Sequence, residues 1–254
     1  MTAAADASPT GGRWRPFAVA TLCGLAAVAG ALVALSRVDD VVLTERVVGV
    51  LAGTFIVFVA IVGWTVTSAT RQAGPQRLTV ATWVTLGRGW ALVLFAGIVA
   101  LAPTETRLQW LAAGLFLVAA VGDAADGALA RRTETVSELG ARLDTETDAL
   151  VVLVGTLAVV GLRSVPGVFV LVGLARYGFV AAAGLRRRRD QPIYDLEANR
   201  YRKFTGATIM GTIALGLVPV VDPAVSRAVG WLVTVPILTH FIWDYLGITG
   251  RRPG

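Results

Sequence analysis

Long apolar runs separated by short polar loops recur along the entire chain. Each run is about 20 residues long, which is the length of helix needed to cross the hydrocarbon core of a bilayer. Eight runs can be distinguished, at residues 17–35, 47–69, 82–102, 108–130, 144–162, 165–185, 204–221 and 224–246. The pattern therefore predicts an all-α, polytopic membrane protein with eight transmembrane helices.

The distribution of basic residues supports this count and predicts an orientation. Most of the 23 basic residues fall in loops on one side of the eight predicted spans. The opposite loops carry only Arg37, Arg46, Arg107, Arg163 and Arg227. Because cytoplasmic loops are enriched in arginine and lysine, we expect a plasma-membrane protein with both termini in the cytoplasm. The first run is long for a signal peptide and lacks an A-x-A cleavage site, so we expect a retained helix.

Composition excludes several classes of function. The chain is 55% hydrophobic and 16% charged, with a net charge of +6. In a membrane protein, topology and contact with anionic headgroups explain such arginines, so no nucleic-acid partner is expected. Cys23 and His240 are the single residues of their types. A disulfide within the chain, a histidine- or cysteine-rich metal site and a Ser-His-Asp triad are therefore not expected.

Changes in composition divide the chain into four parts. Residues 1–15 are small and polar with Pro and Gly, which is typical of disorder, and we expect a cytoplasmic tail. Residues 16–70 hold a pair of transmembrane helices, and residues 71–78 read as a linker. Residues 79–254 then form a domain of six helices.

Four aspartates stand out against this apolar background. Asp123 and Asp126 lie at the end of the fourth run, and Asp144 and Asp148 lie at the start of the fifth. Spacings of three and four place each pair on one face of its helix. A short loop joins the two helices, so the four carboxylates should converge. Divalent cations would offset the repulsion and desolvation of such a cluster, and oxygen ligands suit two Mg²⁺ or Mn²⁺ ions.

These aspartates belong to a longer pattern that carries a family resemblance. The stretch reads Asp123-x2-Asp126-Gly127-x2-Ala130-Arg131-x8-Gly140-x3-Asp144-x3-Asp148. It resembles the signature of the CDP-alcohol phosphatidyltransferase family at all eight fixed positions. The resemblance implies a six-helix membrane core over about residues 82–246, preceded here by two extra helices.

The resemblance also implies a role for each position of the pattern. Asp123, Asp126, Asp144 and Asp148 would hold two metal ions, and Asp148 would also act as general base on the acceptor hydroxyl. The remaining positions would contact the cytidine nucleotide. Gly127, Ala130 and Gly140 would leave space for it, and Arg131 would bind its phosphates. An alcohol would attack the lipid-side phosphorus of a CDP-linked lipid, and CMP would leave.

Positions outside the pattern add candidates. Many family members carry Pro-Asn…Thr…Arg at the start of the first core helix, where this chain has Thr82, Thr85 and Arg88. Thr82 stands where Asn is usual, which puts one nucleotide contact in doubt. Arg88 and Arg176 fall within apolar helices, so each should contact a phosphate, the acceptor or a site carboxylate, or else extend to the interface.

The acceptor is not determined by these residues. Arg202 and Lys203 follow the arginine run 186–189, which either anchors the chain to anionic lipid or contacts a phosphorylated acceptor. This basic stretch favours a phosphorylated polar alcohol such as glycerol phosphate or inositol phosphate over serine or a lipid alcohol. The family resemblance implies a homodimer. The alternative class of function is a membrane partner subunit or transporter that retains the motif without catalysis.

Overall fold

The computed structural model of the protein describes residues 15–37, 44–73, 79–102, 104–133, 138–192, 194 and 201–249. At residues 15–16, 35, 72–73, 123–133 and 201–203 it describes the helix backbone alone. The predicted disordered tail and most of the predicted linker lie outside the described residues.

The described residues form eight α-helices and contain no strand. A 3-10 turn, Gly167–Phe169, precedes the sixth helix. In chain order the helices are α1 (Arg15–Leu35), α2 (Glu45–Ala73), α3 (Val80–Ala100), α4 (Thr106–Thr133), α5 (Glu138–Gly161), α6 (Val170–Arg188), α7 (Tyr201–Leu217) and α8 (Pro223–Ile248).

Each predicted run lies in its own helix, which confirms the all-helical membrane fold. The main differences are at helix ends. Helix α6 begins later than predicted because Pro166 starts the 3-10 turn, and α7 ends before Pro219. Helix α5 begins at Glu138, before the predicted start at residue 144, because the helix continues into the polar residues that precede the apolar run.

Five of the described helices are long and apolar enough to cross a membrane: α1, α2, α3, α6 and α8. Helices α4 and α7 contribute the shorter apolar stretches Thr106–Gly122 and Phe204–Leu217. Large apolar side chains are exposed on the outside of the bundle, for example Trp64 and Leu232. In a membrane these side chains face lipid rather than water.

Helix α3 lies at the centre of the bundle. It packs against α1, α2, α4 and α5, and its side chains Leu92, Val93 and Phe95 are fully buried. Phe95 also stacks at a tilt on Phe116 of α4, with ring centroids 5.6 Å apart. The site described below is built around this central helix.

The two N-terminal helices contact α3 through glycines. The indole ring of Trp90 occupies the space that a Cβ on Gly24 of α1 would need, and the ring of Phe58 of α2 does the same at Gly89. Phe58 and Trp90 also meet edge to face, with centroids 5.0 Å apart. Each ring fits into the space that a glycine leaves open on the facing helix, so α1 and α2 are packed directly on the central helix.

Candidate active site

Arg88 connects three helices from the interior of the bundle. Its side chain lies on α3 and is 2% exposed. Nε donates a hydrogen bond to the carbonyl oxygen of Ala119 on α4 at 2.9 Å. Nη1 donates to Oδ1 of Asp144 at 2.6 Å, and Nη2 donates to Oδ1 of Asp148, both on α5. The planar, multiply donating guanidinium suits this arrangement in a way that a lysine would not.

Gly122 of α4 provides the space through which Arg88 reaches these partners. A Cβ at Gly122 would lie 2.6 Å from Cδ and 2.7 Å from Cγ of Arg88. Separations of this size are well inside van der Waals contact, and both Arg88 atoms belong to a side chain held by three helices. Arg88 can therefore occupy this position only because residue 122 is a glycine.

The two aspartates of α5 face the same way and remain partly accessible. Asp144 and Asp148 are four residues apart, so they lie one turn from each other on one face. Their side chains are 29% and 34% exposed. One guanidinium against two carboxylates leaves one negative charge in this group of three. The cluster can therefore still bind a cation or a cationic part of a ligand.

The first half of the acidic motif lies on the helix that Arg88 touches. The backbone of α4 remains helical through Thr133, and Asp123 directly follows Gly122. The helical backbone keeps Asp123 and Asp126 three residues apart on one face. The same helix carries Gly127, Ala130 and Arg131, which the family resemblance assigns to the nucleotide. The side chains of these three residues and of Asp123 and Asp126 lie outside the described residues.

The metal site stays a prediction. Among the side chains that the structure describes, no group of three or more Asp, Glu, His or Cys residues is placed to hold a metal ion. The described half of the predicted set does fit such an ion: Asp144 and Asp148 offer oxygen ligands one helical turn apart, on the helix face that Arg88 joins to α4.

The threonines predicted for the nucleotide lie at the start of α3. Thr82 and Thr85 are both buried. The hydroxyl of Thr79 caps the helix by accepting from the backbone N–H of Thr82 at 3.2 Å, and the two hydroxyls lie 3.0 Å apart. The Thr85 hydroxyl donates to the carbonyl oxygen of Ala81. The described hydrogen bonds of Thr82 and Thr85 therefore stabilise this helix end.

A second polar pair joins α5 to α6. Nη2 of Arg176 on α6 donates to Oε1 of Glu146 on α5 at 2.9 Å. Arg176 also lines a cavity of about 300 Å³ between α6, α7 and α8, together with His240 and Asp244. The predicted pairing of His240 with Asp244 is loose, with Nε2 and Oδ2 3.7 Å apart.

Among the described residues, three buried polar atoms have no hydrogen-bond partner. They are the hydroxyl oxygen of Tyr177, next to Arg176, Nε2 of His240 in the cavity wall, and the hydroxyl oxygen of Thr147 on α5. Buried polar atoms are normally paired with protein or ordered water. A polar ligand or water in this cavity would satisfy His240.

The structure thus brings together part of the predicted site. Arg88, Asp144 and Asp148 meet directly, and Gly140 lies in the first turn of α5 below them. The side chains of Arg202 and Lys203, at the start of α7, lie outside the described residues. Sequence reasoning missed Glu146, whose only signal was its place between two motif aspartates on the polar half of α5.

A comparison with family models assigns the chain to a class of protein. The model of the CDP-alcohol phosphatidyltransferase family matches residues 78–241, which is well over half of the chain. The protein belongs to this family, and the resemblance seen in its acidic motif is confirmed. No curated protein and no solved structure matches the chain. The family is one of membrane transferases of phospholipid synthesis that use a CDP-alcohol donor and an alcohol acceptor.

Proposed function

We propose that this protein transfers a substituted phosphate group from a CDP-linked lipid to a polar alcohol, with release of CMP. The observation that carries the proposal is the buried Arg88, which holds Asp144 and Asp148 side by side and bonds to α4 at Ala119, four residues before the motif aspartate Asp123. A charged group this deep in a helical bundle is costly unless it is paired or serves a site, and this one is paired with two residues of the motif.

The four aspartates would hold two divalent cations. Asp123 and Asp126 would contribute from α4, and Asp144 and Asp148 from α5. Bound there, Mg²⁺ or Mn²⁺ would neutralise the pyrophosphate of the donor and the charge that develops on the leaving phosphate. The small residues Gly127 and Ala130, with Gly140, would admit the cytidine, and Arg131 would bind its phosphates.

Asp148 is the residue we assign to proton transfer. The acceptor hydroxyl would attack the lipid-side phosphorus and give its proton to the Asp148 carboxylate as the new P–O bond forms. The bond between that phosphorus and the CMP oxygen breaks, and CMP leaves with the electron pair. Arg88 would keep Asp148 pointed at the reacting atoms, because its contact with Asp148 is fixed by two further bonds.

The cavity between α6, α7 and α8 is the place we assign to the acceptor. Its wall carries both charge signs, from Arg176 and Asp244, and the His240 nitrogen, which has no hydrogen-bond partner among the described residues. This mixture suits a polyol that donates and accepts hydrogen bonds. The pair Arg176–Glu146 links the cavity to α5, two residues from both Asp144 and Asp148. Arg202 and Lys203 would add a phosphate site, which favours a phosphorylated alcohol such as glycerol phosphate or inositol phosphate.

The remaining parts of the proposal concern the setting of the enzyme. The arginine-rich loops favour a plasma-membrane protein with the acidic site on the cytoplasmic side. The CDP-lipid would then enter sideways from the inner leaflet. Family resemblance favours a homodimer.

The test is CMP release by purified protein in detergent. The assay would supply a CDP-linked diacyl or diether lipid, Mg²⁺ or Mn²⁺, and one acceptor at a time from glycerol phosphate, inositol phosphate, serine and phosphatidylglycerol. Asp148→Asn is the inactive variant, and Arg227→Gln, an exposed arginine on α8 away from the motif, is the matched control.

Either outcome is informative. Release that requires metal, one acceptor and Asp148 supports the enzyme and names its substrate. Folded protein that releases no CMP with any acceptor or donor contradicts the catalytic proposal and favours a partner subunit that keeps the motif.

A further inference from the structure

A second cavity lies at the end of the bundle opposite the aspartates. It has a volume of about 280 Å³ and is formed by the start of α2 and the ends of α3 and α5. Val154, Leu157 and Gly161 of α5 line it, and the nearest of them is six residues beyond Asp148. At 1.5 Å per residue, the cavity begins about 9 Å from Asp148 along the helix. It is therefore displaced from the site along the bundle axis, towards the end to which the sequence assigns the arginine-poor loops.

The wall of this cavity is mostly apolar, with Arg46 and Thr54 as its polar side chains. Val50 of α2, Ala96 and Val99 of α3 and Leu157 of α5 are representative. Leu157 is 50% exposed and Val50 is 37% exposed, so the groove opens sideways to the surrounding lipid. A groove with these properties matches a hydrocarbon chain and offers little to a polar small molecule.

One charged group lines the same groove. Arg46 lies in the first turn of α2 and is exposed. Among the described residues, none bonds or ion-pairs with its guanidinium. The position is unfavourable for a cation on two counts, since the N-terminus of a helix favours negative charge and the sequence assigns this end to the arginine-poor side. An anion bound beside Arg46 would neutralise its positive charge and so offset both unfavourable effects.

We infer that this groove is a binding site for an anionic phospholipid of the leaflet opposite the aspartate site. The lipid phosphate would pair with Arg46, and one acyl chain would lie between α2, α3 and α5. Because α2 belongs to the extra helix pair and not to the six-helix core, the bound lipid would fasten that pair to the core.

The test is lipid binding by purified protein, measured by native mass spectrometry in detergent with EDTA present. The probes are phosphatidylglycerol and phosphatidylcholine with identical acyl chains. We expect wild-type protein to retain phosphatidylglycerol preferentially. Arg46→Gln should weaken phosphatidylglycerol binding about fivefold, the effect of one basic residue at an anionic membrane surface, and Arg46→Lys should restore most of it.

Two further variants separate the headgroup from the chain. Leu157→Trp, at a half-exposed position that tolerates a larger side chain, should reduce retention of both lipids. Arg227→Gln, a charge change at the same end of the bundle but outside the groove, should leave binding as in the wild type.

Equal binding of the two lipids, or equal loss in Arg46→Gln and Arg227→Gln, would overturn the inference. The experiment contains no metal and no CDP-lipid, and Asp148→Asn should bind lipid normally. Its result is therefore independent of the catalytic proposal.

Discussion

At the scale of single residues, Arg88 organises the site. An arginine that is 2% exposed and bonded to two carboxylates and a carbonyl has no freedom to serve as a mobile surface charge. The sequence suggested a phosphate, the acceptor or a carboxylate as its partner, and the described contacts are with Asp144, Asp148 and the Ala119 carbonyl oxygen. We interpret Arg88 as a positioning residue for the aspartates.

Replacing Arg88 tests this interpretation. Arg88→Gln would leave two neighbouring carboxylates without their counter-charge and release the contact with α4. Loss of one partner from a fully buried ion pair costs about 3–5 kcal/mol, and we expect less here because the Asp144 and Asp148 side chains are 29% and 34% exposed. Misplaced catalytic groups cost roughly 100-fold in rate. We expect a lower thermal unfolding temperature and at least that loss of CMP release. Full activity in Arg88→Gln would show that the aspartates are held by other groups.

Gly122 provides a second test at this scale. Gly122→Ala places a methyl group 2.6 Å from Cδ of Arg88, which must displace the arginine or the helix. We expect reduced CMP release and destabilisation of about 1–3 kcal/mol, as for overpacking of a core. Gly114→Ala, on the same helix with open space around its Cβ, is the matched control and should behave as the wild type or be slightly more stable. Unfolding temperature and CMP release measure both effects.

At the scale of elements, the two N-terminal helices are part of the packed structure. They lie outside the six-helix family core, and the family match begins only at residue 78. The sequence offered no role for them beyond spanning the membrane. The structure shows that both contact α3, the helix that also carries Arg88.

This packing predicts that alanine substitutions at two glycines of α3 will differ in their effect on stability. Gly89→Ala would bring a methyl group into the ring of Phe58, which is fully buried and wedged against Trp90. Gly87→Ala meets nothing within contact distance. We expect Gly89→Ala to lower the unfolding temperature and Gly87→Ala to leave it unchanged. Equal stability of the two variants in detergent would mean that α2 is only loosely attached.

A further prediction at this scale concerns α5 and α6. Glu146→Gln would weaken the bond to Arg176 without touching the motif aspartates. If Arg176 orients the acceptor, the KM for the acceptor should rise several-fold while the KM for the CDP-lipid stays the same. An effect on both substrates, or on kcat alone, would argue against an acceptor site at the α6–α8 cavity.

At the scale of the whole molecule, the central prediction is dependence on divalent metal. One buried arginine is bonded to two of the four motif aspartates, so the four together would carry an excess of negative charge. EDTA should abolish CMP release, and Mg²⁺ or Mn²⁺ should restore it. Metal should also raise the unfolding temperature, because an ion that binds only the folded state stabilises it. Asp144→Asn should lose most of this stabilisation, whereas Arg227→Gln should keep it.

The sequence by itself determined the helices and the motif. Apolar runs near 20 residues long are a local signal, because each membrane helix satisfies its own backbone hydrogen bonds. The spacing of Asp144 and Asp148 placed them on one face for the same local reason. The acidic pattern also indicated the family before any contact was known.

Only the tertiary structure decided which helices meet and through which side chains. Arg88 bonds to residues 31, 56 and 60 positions further along the chain. The pairing of Glu146 with Arg176 and the groove beside Arg46 likewise join separate helices. Hydropathy along one helix contains no information about which face of another helix it will meet, since nearly every face here is apolar. Those choices depend on close packing, as at Gly89 and Gly122, where a missing side chain allows one helix to approach the next.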